Sequence, residues 1–253
     1  MPGGTATRGS LLIVHGLGEH SGRYGRLGAD LAALGYAVRS YDLRGHGASP
    51  GPRGGVATDG EPLEDLREAF AAPAGERPPF LLGHSMGGAI AARAVTDGLV
   101  APRGLILSSP ALRLLMTRAQ LGLLAAALRV APDRAVPNRL PLARLSHDPA
   151  VVAAYRADPA VHDRITPQLT RFLIDAGAAA RRDAARCRVP TLLLVAGQDG
   201  LVDARGAREF AAALAPGVGT LRVYDDLYHE LFNEREPGRG RVLADLAQWL
   251  AAH

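Results

Sequence analysis

The chain contains no lysine: all 29 of its basic residues are arginine. Set against 25 acidic residues, they leave a formal net charge of +4. The arginines are scattered among the acids, and no basic run is interleaved with aromatics, so a nucleic-acid partner is not expected. Together with the abundance of alanine, glycine and proline, arginine-only usage reads as a coding bias. Cysteine is almost absent as well. With Cys187 alone, no intrachain disulfide can form, and with no motif around it this residue reads as a small buried side chain. Long apolar runs are missing too. The longest stretch, 121–127, falls well short of the roughly 18 residues a membrane-spanning helix needs. The first ten residues are small and polar and lead into no hydrophobic segment, so neither a signal peptide nor a transmembrane segment is expected. The expected location is cytoplasmic, with at most a peripheral contact at membranes. His15 and His20 lack a carboxylate or cysteine at metal-ligand spacing, so no metal and no other cofactor is expected.

What is present is a chain of 253 residues, 47% hydrophobic, which suits one large α/β domain with room for an insertion. Short apolar runs alternate with amphipathic stretches. Strands are predicted at 11–14, 37–41, 80–82, 105–107, 192–196 and 221–224, and helices at 24–34, 63–71, after residue 85, near 205–214 and at 239–252. Such alternation implies a mostly parallel sheet with helices on both faces, whose ligands bind beyond the carboxyl ends of the strands. Between 113 and 188 the rhythm breaks, with helix-like patterns and prolines but no convincing strand. The expected organisation is a core of 1–112 and 189–253 with a helical cap or lid at 113–188. The apolar start of that segment offers Leu112, Leu115, Leu121 and Leu124 as substrate-binding candidates, packed on the main domain or turned toward an acyl chain or lipid surface.

The most informative run is Gly83-His84-Ser85-Met86-Gly87. An apolar strand enters it and an alanine-rich helix leaves it. A serine at the apex of so sharp a turn needs small residues two positions before and after, which Gly83 and Gly87 supply. The turn projects the Ser85 hydroxyl and brings free N–H groups of a helix start beside it. A serine nucleophile needs a base, a carboxylate behind that base and donors for the oxyanion. On this topology they follow in the order serine, acid, histidine. Asp199 lies just past the strand at 192–196; its neighbour Asp203 is the alternative and better suited to capping the next helix. His229 lies after the last strand, and the only other histidine beyond Asp199 is His253 at the chain end. Met86, next to the serine, and Leu17, between Gly16 and Gly18 after the first strand, are the expected oxyanion donors. His15, His20, Asp42 and His46 read as hydrogen-bonding residues of their loops.

The run His15-Gly16-Leu17-Gly18-Glu19-His20-Ser21-Gly22-Arg23-Tyr24 resembles the opening motif of the monoacylglycerol lipase branch of the α/β-hydrolase superfamily. Further likeness lies in 42–49, 82–89, 107–110, Leu145-Ser146-His147-Asp148, Tyr155-Arg156-Ala157-Asp158-Pro159 and Tyr228-His229. The resemblance runs from Leu11 almost to the end. It implies an α/β-hydrolase fold with a helical cap, Ser85, Asp199 and His229 as triad, Leu17 and Met86 as oxyanion donors, an apolar tunnel for one acyl chain, and no cofactor. Only 14 residues precede His15, so two N-terminal edge strands usual in the family are expected to be missing or rudimentary.

The expected function is hydrolysis of a carboxylic ester of a monoacylated lipid, foremost a monoacylglycerol, with a transient membrane or micelle contact through the cap. Lysophospholipase or general carboxylesterase activity is the nearest alternative. A peptidase and a non-catalytic hydrolase-fold binding protein are more distant ones.

Overall fold

The computed structural model describes residues 7–72 and 77–253. Its centre is a six-stranded, wholly parallel sheet. The first elements are β1 (Gly9–Val14), α1 (Gly25–Ala33), β2 (Tyr36–Tyr41), α2 (Glu61–Ala71), β3 (Phe80–His84), α3 (Met86–Thr96) and β4 (Leu105–Ser108). After an excursion come β7 (Thr191–Ala196), α7 (Ala204–Ala213), β8 (Gly219–Tyr224) and α8 (Gly238–Ala252). The strand order is β2-β1-β3-β4-β7-β8. All six strands expected from the sequence are present, and the doubly covered α/β-hydrolase sheet is the observed fold.

The sequence sorts itself onto the two faces with period two. Leu11 and Ile13 of β1, with Leu192 and Leu194 of β7, pack toward α1 and α8 among Leu31, Val242 and Trp249. Leu12 and Val14, with Leu193 and Val195, face the other way into a core shared with α2, α3 and α7. The inner strands β1 and β7 are therefore apolar over 11–14 and 192–196 and buried on both faces, as parallel strands between helices must be. Edge strands β2 and β8 are only partly buried. Each fully buried leucine contributes on the order of 1.5–3 kcal/mol.

The excursion between β4 and β7 holds α4 (Arg118–Val130), β5 (Val136–Pro137), α5 (Pro149–Ala157), β6 (Arg164–Ile165) and α6 (Pro167–Arg182). Two differences from expectation appear here. β5 and β6 form an antiparallel pair of two residues each, too short for any alternation to announce it. The segment also divides in its packing. No residue of α4 is buried, whereas Leu169, Phe172, Leu173 and Ala176 of α6 lie in the main core beside Ile90 and Phe210. Gly177 allows α6 to come so close that a Cβ there would lie 2.4 Å from the Leu112 carbonyl oxygen. By packing, then, α6 is part of the core layer and α4 is not.

Candidate active site

The strand carboxyl ends gather at one rim, and the cavity there is lined by Gly16, Leu17, Ser85, Met86, His229 and apolar residues of the excursion. Ser85 occupies the link between β3 and α3 with φ 53° and ψ −117°, a left-handed conformation that costs a non-glycine residue about 1–3 kcal/mol. The surroundings hold it there. A Cβ on Gly83 would lie 2.4 Å from the Gly87 carbonyl oxygen, and one on Gly87 would lie 2.2 Å from that of Val14. The Ser85 N–H donates to the Ser108 carbonyl at 3.0 Å, and the Ser85 carbonyl accepts from both Ala89 and Ala111. Such a backbone fixes the direction of the hydroxyl.

Asp199 and His229 come from the loops after β7 and β8, which lie side by side because those strands pair. Asp199 Oδ2 is 2.7 Å from His229 Nδ1, and both side chains are 2% exposed. Asp199 Oδ1 accepts the N–H groups of Leu201 (2.9 Å) and Val202 (3.0 Å), so the carboxylate is fixed in place. Burial pushes the Asp199 carboxyl up, but His229 and these N–H groups outweigh it and hold it below the usual range. Burial likewise opposes charge on His229. Asp199, then Glu230 and Glu19, overcome that and raise the imidazole above its ordinary value. With Nδ1 committed to the carboxylate, Nε2 is the nitrogen left to exchange a proton.

Leu17 and Met86 line the same cavity as Ser85. Met86 opens α3, so no acceptor within the helix reaches its N–H. Among the described residues neither the Leu17 nor the Met86 N–H has a hydrogen-bond acceptor. The loop carrying Leu17 is braced from several sides. His15 Nδ1 donates to the Gly16 carbonyl at 2.8 Å, and His15 Nε2 accepts from Leu43 N at 3.0 Å. Asp42 accepts from Ser21 and Ala48, and His46 Nδ1 donates to the Arg44 carbonyl. His20 does hydrogen-bond within its loop, its Nδ1 accepting the Gly22 N–H at 3.2 Å, and its Nε2, 2.8 Å from Asp158 Oδ2, also ties the loop to the excursion. Asp203 caps α7, accepting from Arg205 N at 3.0 Å. Cys187 is fully buried.

The expected substrate-binding leucines are corrected by the structure. None of Leu112, Leu115, Leu121 or Leu124 lines the cavity. Leu112 is 1% exposed and belongs to the main core beneath α6. Leu115 and Leu121 are exposed, and Leu124 is half-buried on α4. The apolar wall is instead Ala111, Leu114, Leu140, Leu145, Leu173 and Val202. Leu114 is turned inward by an isolated antiparallel bridge to Val202, a tertiary contact that apolar composition does not reveal.

Sequence reasoning also passed over a buried charged group behind the serine. Glu19, Arg23, Tyr24 and Glu230 interlock there. Glu19 Oε2 and Glu230 Oε1 lie 2.6 and 2.7 Å from the same Arg23 nitrogen, and Tyr24 O–H donates to Glu19 Oε1 at 2.7 Å. The only signal for it in the sequence was adjacency, since Glu19 lies in the glycine-rich loop and Glu230 follows His229.

Known proteins resemble this chain along nearly its whole length. The family model described as serine aminopeptidase, S33, matches residues 5–236. A monoacylglycerol lipase from Mycolicibacterium smegmatis is 35% identical over 98% of this chain and 90% of its own length. Phospholipase YtpA of Bacillus subtilis is 33% identical over 89% of each chain. The crystal structure of a monoacylglycerol lipase from Paleococcus ferrophilus superposes with a TM-score of 0.88 at 34% identity, covering 99% of this chain and 96% of that one.

Proposed function

We propose that this chain, which belongs to the serine aminopeptidase S33 family of α/β-hydrolases, is a serine hydrolase that cleaves carboxylic esters of monoacylated lipids, foremost monoacylglycerols. The observation that carries the reading is the buried Asp199–His229 pair facing the same cavity as the strained Ser85. In this reading Ser85 attacks the ester carbonyl while His229 Nε2 takes its proton. The Leu17 and Met86 N–H groups receive the oxyanion. His229 returns the proton to the departing glycerol oxygen and then activates water, which releases the fatty acid from Ser85.

The lining supports an acyl ester rather than a peptide. Leu114, Leu140, Leu145, Leu173 and Val202 offer one apolar wall. A peptide with a free amino terminus would need an uncommitted carboxylate. The two near the serine, Glu19 and Glu230, are both taken up by Arg23. We place the cap in the part of the 113–188 insertion that precedes α6, with α4 as its outer face. Leu115, Leu121, Leu123 and Val130 are exposed there, a surface suited to transient contact with a membrane or micelle. No helix of the described residues is long and apolar enough to cross a membrane.

The phospholipase relative favours a second reading on the same chemistry, a lysophospholipid in place of the monoacylglycerol. Fatty-acid release from a medium-chain monoacylglycerol, measured beside its lysophosphatidylcholine counterpart with Ser85→Ala as control, separates the two. Release from the first alone, abolished in the variant, is the expected result. Release only from the second would replace the substrate assignment.

A further inference from the structure

Glu19 is 4% exposed, and its carboxylate lies against Gly16 of the glycine-rich loop, which separates it from the serine. Its Oε1 accepts the Gly16 N–H at 2.5 Å as well as the Tyr24 hydroxyl. The packing is tight at this point. A Cβ on Gly16 would lie 2.9 Å from Glu19 Oε1 and 3.2 Å from Ser85 Cβ, so carboxylate, loop and nucleophile stand in direct succession. On the other side the guanidinium of Arg23 forks onto Glu230, Nη1 to Oε1 at 2.7 Å and Nη2 to Oε2 at 2.8 Å. Glu230 follows His229 directly in the chain. Two carboxylates and one guanidinium are thus buried within a few ångströms of the proposed chemistry. Desolvating each costs several kcal/mol, and well-packed apolar residues would serve folding at least as well.

We propose that Glu19 is a positioning residue: it fixes the Gly16 peptide, and with it the adjoining Leu17 N–H, against Ser85, and through Arg23 it joins that loop to the Glu230–His229 corner of the site. The inference rests on the assignment of Ser85, His229 and Leu17 made above. Glu19 itself touches no reacting atom in this scheme. Its first effect is geometric, since an oxyanion donor acts only when held at hydrogen-bond distance from where the charge develops. Its second is electrostatic.

The charged and titratable groups around His229 are Asp199 from the loop after β7, Glu230 beside it in the chain, Glu19 and Arg23 from the loop after β1, and His84 at the end of β3. Arg144 of the excursion adds its carbonyl, which accepts the His229 N–H, and a guanidinium over the Tyr228 ring. His147 and Glu234 stand beyond that ring. After Asp199, Glu230 and Glu19 are the groups in this set that favour a proton on the imidazole.

The test is Glu19→Gln, assayed on a soluble short-chain ester across pH, with fluorophosphonate labelling of Ser85 in the same preparations. The amide keeps an acceptor for Gly16 but loses the charge and turns a donor toward Arg23. We expect kcat to fall roughly 10- to 100-fold with KM within about twofold, the order of loss for a weakened oxyanion donor. The acid limb of kcat/KM should move to lower pH, because a charge favouring protonated His229 is gone.

Tyr24→Phe removes one hydrogen bond to the same carboxylate without touching its charge. It should lower thermal stability while leaving the acid limb in place. A folded Glu19→Gln protein with wild-type kcat, KM and acid limb would overturn the inference. So would losses matching those of Tyr24→Phe with an unmoved limb. If Glu19→Gln does not fold, Glu230→Gln decides, and a limb that stays put there overturns it. Wild-type protein unlabelled at Ser85 would instead sink the underlying assignment.

Discussion

His84 and His229 lie ring against ring, 4.8 Å between centroids, yet their proton affinities are driven in opposite directions. Burial, reinforced by the nearby His229, pushes His84 down to about 4. Burial also opposes charge on His229, but Asp199 more than compensates, and its affinity is raised. Of the two, only His229 is held above the ordinary histidine value. In the proposed role of base it must be neutral. A raised value means that the neutral form is lost on acidification earlier than for an ordinary histidine. kcat/KM should therefore rise with pH through a single deprotonation placed above about 6.5, the unperturbed value. A profile flat from about pH 5 to 8, the window in which histidine charge ordinarily changes, would remove His229 from the base role. Asp199→Asn should lower kcat roughly 10³- to 10⁴-fold by allowing the wrong tautomer. It should also draw the acid limb downward.

The two aspartates after β7 differ in task, which mutation can expose. Asp203, itself buried, caps α7 and pairs with the exposed Arg205 and Arg113. Asp203→Ala should cost about 1 kcal/mol of stability, the usual worth of an N-cap, and leave kcat near wild type. Asp199→Ala should abolish most turnover. Thermal unfolding and initial rates on the same preparations check both, and equal losses of activity would erase the distinction.

Glycine packing around the serine makes a sharper structural claim. A Cβ at Gly87 meets the carbonyl oxygens of Val14 at 2.2 Å and His15 at 2.6 Å, which are backbone and cannot rotate away. Gly87→Ala should destabilise the fold by about 1–3 kcal/mol, as overpacking does, and should cut activity further by displacing Ser85. Gly25 begins α1 with φ −56° and has open space around its Cβ position. Gly25→Ala should instead stabilise by about 0.4–1 kcal/mol. Chemical unfolding of the two variants gives the comparison, and a Gly87→Ala protein as stable as wild type would contradict the packing.

The six core strands were legible because buried parallel strands are short apolar runs bounded by turns, and Leu11 to Val14 or Thr191 to Ala196 look like nothing else. Ser85, Asp199 and His229 could be located because each lies just past such a strand, and strand pairing brings strand ends together. The leucines of the excursion were not legible in the same way. Leu112, Leu114 and Leu115 have the same composition and differ only in a bridge to Val202 and in the approach of α6. Both are contacts with residues far along the chain. α6 itself reads as cap until its apolar face is seen against α3. The Glu19–Arg23–Glu230 group escaped for the same reason, since it joins the first and last loops of the sheet.

Those misread leucines separate two roles that the sequence merged. Leu114 lines the cavity, while Leu121 and Leu123 are exposed on α4, at 44% and 72%. Leu114→Glu places a charge in the acyl wall. It should reduce kcat/KM roughly tenfold or more on a long-chain ester, because each lost pair of methylene contacts is worth about 1–2 kcal/mol, and it should have little effect on an acetyl ester. Leu121→Glu with Leu123→Glu leaves the wall intact and should not alter hydrolysis of either ester in free solution. The same pair should lower the rate on monoacylglycerol dispersed in anionic vesicles, because the proposed contact of α4 with the lipid surface uses these apolar side chains. If the α4 pair slowed the soluble reactions as much as the vesicle reaction, α4 would be a structural element of the cap. If Leu114→Glu slowed acetyl and long-chain esters alike, its wall would not be the acyl site.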